Sequence, residues 1–260
     1  MKKKIIALCL IVALAATAVI GGTLAYFTDT TEAKVNEFTV GNVKIDLTEP
    51  AWKGDATLMP GVVYDKNPTI TVDEKSQDAY VFLKLEMNKY VSLVNLMGVD
   101  AYKNGVGGLG LDGNKYPGFI AFVGMLADNN ALRAEVLGRW FGGINHADWK
   151  VMNLEEIKTA VAGASTPGGN PNKLEVILGY IGSDDDTLSA GESVTFMTKF
   201  GMPDSVTASM FNGEDAYYID GVSKSNFNTD ATTFKMTFTA YAIQAAEIAD
   251  IDAAYAALFN

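Results

Sequence analysis

The chain has 260 residues, 48% of them hydrophobic and 20% charged, and a formal net charge of −11. That is enough chain to bury a sizeable core in one large domain. An excess of acid on this scale repels phosphate backbones and anionic lipid, and no Lys/Arg cluster follows Lys4, which argues against nucleic-acid binding.

The first thirty residues carry the strongest signal. Lys2, Lys3 and Lys4 form a cationic start, and Ile5 to Ile20 is apolar except for Thr17. Small residues follow, ending in Thr23-Leu24-Ala25. A positive head, an apolar middle and a small-residue exit make a secretory signal peptide. The apolar run is short against the about 20 residues of a membrane span. Cleavage is expected after Ala25, leaving Tyr26 first and 235 residues, with the membrane holding the chain only before the cut. The alternative is an uncleaved N-terminal anchor. Loss of the three lysines takes the net charge from −11 to −14. The only cysteine, Cys9, lies in the apolar run, so the exported form has no disulfide or thiol chemistry. Leu8 stands where a lipoprotein acceptor wants a small residue, which argues against lipidation at Cys9.

Beyond the cut, Tyr26 to Val35 reads as an extended arm. Phe38 and Val40, then Val43, Ile45 and Leu47, alternate as a half-buried strand with a bulge or turn at Gly41. Met59-Pro60-Gly61 is a turn, and Pro68 to Val72 a second strand. Ala79 to Asn88 is the clearest strand, with Ala79, Val81, Leu83, Leu85 and Met87 on one face; Tyr80 and Phe82 predict that its other face is covered at the start. Tyr90 to Met97 reads as a further short strand. Gly98 to Gly118, rich in glycine, reads as a loop. A helix is expected within Ala127 to Arg139 and a firmer one over Leu154 to Ala162, capped by Asn153. Strands resume at Leu174 to Tyr180. After the acidic turn Ser183 to Thr187, one strand is expected through Val194, Phe196, Thr198 and Phe200. The last strand is Thr233 to Gln244, and Ala245 to Phe259 reads as an alanine-rich helix. Alternating strands with short turns give a mainly β fold, a jelly-roll-like antiparallel β-sandwich. Residues 26–260 are expected to form one domain, with 98–172 as an insertion of loops and short helices and a helix at the C-terminal end.

Several blocks resemble one family. Gly21-Gly-Thr-Leu-Ala-Tyr-Phe-Thr-Asp-Thr30 leads into Asn36-Glu-Phe-Thr-Val-Gly-Asn-Val-Lys-Ile-Asp-Leu-Thr-Glu-Pro50, like the opening of the TasA/camelysin family of Gram-positive bacteria. Pro68 to Met87, Leu188 to Pro203 and Phe238 to Ala245 resemble later blocks. The stretch 98–172 carries no such likeness. The resemblance implies export through a SipW-type signal peptidase and a secreted β-sandwich. It also implies polymerisation by passing an N-terminal strand to a neighbouring subunit, as in biofilm-matrix fibres. Tyr26, Phe27, Thr28, Asp29 and Thr30 would then open the donated strand.

Chemistry-bearing residues are few. His146 is the only histidine, in Asn145-His-Ala-Asp-Trp149, and no nucleophile-elbow motif accompanies it. One histidine without cysteine cannot build the usual catalytic zinc site. Asp184, Asp185 and Asp186 form a weak calcium candidate without EF-hand spacing. Gly105 to Gly110 lacks the strand–helix context of a phosphate cradle. Trp140-Phe141, beside Gly142-Gly143, reads as packing rather than a sugar platform, although it is the best candidate for ligand contact in the insertion.

The expected function is therefore structural: a secreted, non-enzymatic subunit of extracellular fibres or a surface layer on a Gram-positive cell, with itself as principal partner. Other matrix proteins or polysaccharide are further candidate partners. Two alternatives remain: a camelysin-like cell-surface metalloendopeptidase, and a monomeric adhesin or binding module. No catalytic, cofactor or metal-binding residue is expected beyond the weak calcium candidate.

Overall fold

The longest alternating segments build the central sheet. The computed structural model describes residues 43–54, 56, 58–88, 93, 96, 97, 100, 101, 104, 123, 126, 131–162, 174–206, 217–219, 222–224 and 234–259. Contacts divide the chain into Met1–Val40, outside the described residues, and Gly41–Asn260. In the second unit β4 (Ala79–Met87) pairs along its whole length with β12 (Met236–Gln244) on one side and, from Phe82 to Met87, with β7 (Leu174–Tyr180) on the other. β6 (Trp149–Val151) completes the four-stranded sheet, in the order β12-β4-β7-β6.

β4 occupies the middle because both its faces are apolar. Ala79, Val81, Leu83, Leu85 and Met87 enter the main core. Tyr80 and Phe82 enter a second cluster with Ile177, Ile251 and Ala254, beneath α3 (Ile251–Phe259), so the second face of β4 is covered as expected. Phe82 meets Phe259 edge-on at 5.8 Å. Each large side chain buried this way contributes about 1.5–3 kcal/mol.

Two three-stranded sheets complete the core. One runs β1 (Ile45–Thr48), β3 (Thr69–Val72), β8 (Ser193–Thr195), and the other β2 (Val63–Asp65), β9 (Lys199–Gly201), β5 (Phe141–Gly142). Every ladder is antiparallel; one isolated parallel bridge joins Pro60 and Met202. The fold is thus mainly antiparallel β, with α1 (Ala131–Trp140), α2 (Leu154–Ala162) and α3 as its labelled α-helices.

Four sequence expectations are corrected. The strand expected through Val194 to Phe200 is two strands in two sheets, because Phe196 and Met197 are both buried and the chain turns a corner there. The described residues of the strand expected over Tyr90 to Met97, Leu93, Leu96 and Met97, are helical, as are Asp100 and Ala101 in the expected loop. Their i, i+3, i+4, i+7, i+8 spacing is one helical face, and all five are buried. The C-terminal helix begins at Ile251 rather than Ala245, because Glu247 takes a left-handed φ of 68° and Asp250 caps the helix, accepting from Ala253 N at 2.8 Å. Asn153 does precede α2, and its carbonyl accepts from Ile157 N, but its side chain does not cap. Its amide pairs with β7 instead, accepting from Ile177 N at 2.9 Å and donating to Glu175 O at 3.1 Å. The helix is thereby stitched to the sheet.

β5 and β6 lie within 98–172, so this stretch is built into two of the three core sheets. The hairpin β10 (Tyr217–Ile219) and β11 (Val222–Lys224) is absent from the sequence expectations. Ile219 opposes Val222, leaving Asp220-Gly221 between them, a strong hairpin signal that could have found it.

β9 crosses β2 so closely at Gly201 that a Cβ would stand 2.5 Å from Val62 O and 2.7 Å from Val63 Cα. Gly201→Ala is therefore expected to cost about 1–3 kcal/mol through a backbone clash, measured by urea denaturation.

Candidate assembly edge

Among the described strands, β12 stands at the edge of its sheet. Its residues Met236 to Gln244 pair with β4 alone among the described strands. Two flanking bonds set its phase: Asn88 N donates to Lys235 O at 3.2 Å, and Ala245 N donates to Asp78 O at 2.9 Å. The odd-numbered positions thus turn their backbone groups toward β4. Alternation turns those of Met236, Phe238, Ala240, Ala242 and Gln244 away from it, to the free side.

The same alternation governs the side chains. Met236, Phe238, Ala240 and Ala242 pack, half-buried, against the main core. On the opposite face Tyr241 and Ile243 join the cluster beneath α3, with Tyr241 edge-on to Phe259 at 5.0 Å. Edge strands are normally short, charged, interrupted by proline or bulged. β12 has nine residues, without a charge or a proline. A row of backbone donors and acceptors between two apolar faces is a template for another strand.

A buried cation supports this edge. Lys66 is buried, its Nζ 2.6 Å from Glu49 Oε1. The same ammonium lies 4.7 Å from the Trp52 ring centroid and 5.3 Å from that of Phe238. Phe238 also meets Phe196 at 6.2 Å, so its ring is held from two sides. β1 lies against β12, and among the described strands it too is an end strand. Asp73 N donates to Lys44 O at 2.9 Å, so Lys44 faces β3, and the backbone groups of Val43, Ile45 and Leu47 turn away from it. The side chains of those three pack half-buried on the core.

The residues singled out from sequence fall as follows. Ala25, Tyr26, Phe27, Thr28, Asp29 and Thr30 lie outside the described residues, as does Gly105 to Gly110. Trp140 and Phe141 are fully buried, in keeping with their reading as packing residues, and present no surface for a ligand. Phe141 packs on Phe200 at 5.1 Å, and Trp140 Nε1 donates to Asp100 Oδ2 at 3.2 Å. His146 sits in a single 3₁₀ turn, His146–Asp148, buried, its Nδ1 3.2 Å from Leu126 O. Among the described residues, no three His, Cys, Asp or Glu side chains converge as a metal site, and no helix is long and apolar enough to cross a membrane.

The acidic turn consumes one of its own carboxylates. Asp185 Oδ1 accepts from Thr187 Oγ1 at 2.8 Å, Thr187 N at 3.2 Å and Ser183 Oγ at 3.1 Å. The hydrogen bond from the Thr187 hydroxyl, then that from its backbone and that from Ser183, hold the Asp185 carboxyl below the ordinary aspartate range. A depressed carboxyl contributes stability above its unfolded pKa and loses it as pH falls through the folded one. Thr187→Val should therefore destabilise the fold at about pH 7, with a penalty that shrinks as pH falls below the ordinary aspartate range, as read from urea midpoints across that range.

Comparison of the chain with protein-family models, with curated proteins and with solved structures gives no match. The β12 edge, the Asp100 contacts and the Lys66 pin are features that sequence reasoning missed.

Proposed function

We propose that the protein is an extracellular structural subunit of TasA/camelysin type, which polymerises by strand donation into biofilm-matrix fibres or a surface layer. The segment Tyr26–Val35, freed by cleavage after Ala25, pairs with the free edge of β12 on the next copy. The observation that carries this reading is β12 itself: nine uncharged residues with one side unpaired among the described strands. The arm has ten residues, a length that matches the edge. A head-to-tail contact that does not close into a ring extends into a filament.

The deciding experiment compares the mature chain with one lacking residues 26–35, by thermal unfolding, turbidity and electron microscopy. The truncated form should unfold with a cooperative transition and form no fibres. Fibres of ordinary appearance from the truncated form would sink the proposal.

A further inference from the structure

Given strand donation as proposed above, we infer that the incoming strand runs antiparallel to β12 and is hydrogen-bonded through its odd-numbered residues, Phe27, Asp29, Thr31, Ala33 and Val35. The sheet then reads donor-β12-β4-β7-β6, with Phe27 at the Ala242 end.

The face follows from the arm's own alternation. Its odd set holds Phe27, Ala33 and Val35, whereas its even set holds Tyr26, Thr28, Thr30, Glu32 and Lys34. The more apolar odd set belongs beside Met236, Phe238, Ala240 and Ala242, the row that packs on the core.

Direction follows from the sheet and from side-chain size. All ladders of the β12 sheet are antiparallel, and sheets of one sense are over-represented. Along β12 the core row runs from large to small, Met236 and Phe238 first, Ala240 and Ala242 last. The arm runs the same way, from Phe27 to Ala33. Antiparallel pairing sets large against small at both ends. Parallel pairing would crowd Phe27 against Met236 and leave Ala33 beside alanine. Asp29, the one acid in the odd set, then comes beside Ala240, one step from Phe238 and the Lys66 ammonium against its ring.

The bonding phase is then fixed by geometry. In an antiparallel pair, directly opposed residues that share a face exchange both hydrogen bonds. The even-numbered residues of β12 have outward backbone groups, so the odd-numbered residues of the arm bond to them. In a parallel pair each bonded residue reaches the neighbours of its opposite, and the bonded set of the arm would be even-numbered. Direction can therefore be read from which residues need their N–H.

A proline walk along the arm of the full chain tests this. Thr31→Pro and Asp29→Pro should raise the critical concentration for fibres at least about tenfold, with Asp29→Asn controlling for the lost charge. Thr28→Pro and Thr30→Pro should stay within about twofold of the parent, because their N–H points away from β12 and proline favours an extended preceding residue. Thermal unfolding of each variant establishes that the subunit still folds. Losses at 28 and 30 with none at 29 and 31 would overturn the antiparallel assignment while leaving strand donation standing. Equal losses at all four positions would overturn the bonding phase. Indifference at all four would overturn the ladder against β12, and fibres from the form lacking 26–35 would separately remove donation itself.

Discussion

Replacing Ala240 with proline is expected to leave a folded subunit that no longer polymerises. Proline removes one backbone donor and fixes φ, so its effect depends on where that donor points. At Ala240 the N–H faces the free side, and no bond to β4 is lost. The neighbouring Tyr241 is the internal control. Its N–H faces β4, and its ring packs on Phe259 and in the cluster beneath α3. Tyr241→Pro should therefore lower the stability of the isolated subunit, whereas Ala240→Pro should change it little. Assembly should respond in the opposite sense. A donated strand facing Ala240→Pro leaves an acceptor unmatched, at about 1–3 kcal/mol. That corresponds to about a ten- to hundredfold rise in critical concentration. Urea denaturation of dilute subunit and sedimentation of polymer measure the two effects separately. Ordinary fibres from Ala240→Pro would mean that β12 is not the acceptor.

The second large effect is expected at Asp100, whose side chain is fully buried. Its Oδ2 accepts from Arg139 Nε at 2.8 Å and from Trp140 Nε1 at 3.2 Å. Its Oδ1 accepts from Asn104 Nδ2 at 2.9 Å and from the Ser205 hydroxyl. One carboxylate thus ties the helical residues near 100, the end of α1 and the turn after β9 together. Asp100→Ala leaves a guanidinium, an indole N–H and a hydroxyl without their acceptor. Removing one partner of a buried pair costs about 3–5 kcal/mol. Arg139 keeps Glu135 at 3.1 Å and is 24% exposed, so the lower end of that range is expected. Asp100→Asn, which retains one acceptor oxygen, should cost less. Urea denaturation of both variants checks this ordering, and equal stability of Asp100→Ala and the parent would refute the role given to the network.

The sequence determined much of this molecule by itself. Apolar residues at every second position from Ala79 to Met87 and from Met236 to Ala242 marked both as strands, because the two-residue period puts each such set on one face. Leu154, Ile157 and Val161 did the same for α2 at the helical period. The period failed where packing changed within a segment. Val194 to Phe200 alternates, yet it turns a corner at Phe196 and Met197, where two consecutive residues are buried. Leu93, Leu96, Met97, Asp100 and Ala101 carried a helical stripe, obscured by the glycines that follow and by an acid whose burial only Arg139, Trp140, Asn104 and Ser205 explain. Asn153 was legible as a residue that precedes a helix, but not as one whose amide would find β7. What the tertiary structure alone decided is which strand stands at the edge. Alternation reports the two faces of a strand and says nothing of its two sides, because backbone hydrogen bonds look alike in every residue. β4 and β12 read alike in sequence. β4 is central because β7 and β12 both reach it, and β12 is left with a free side because, among the described residues, nothing else does.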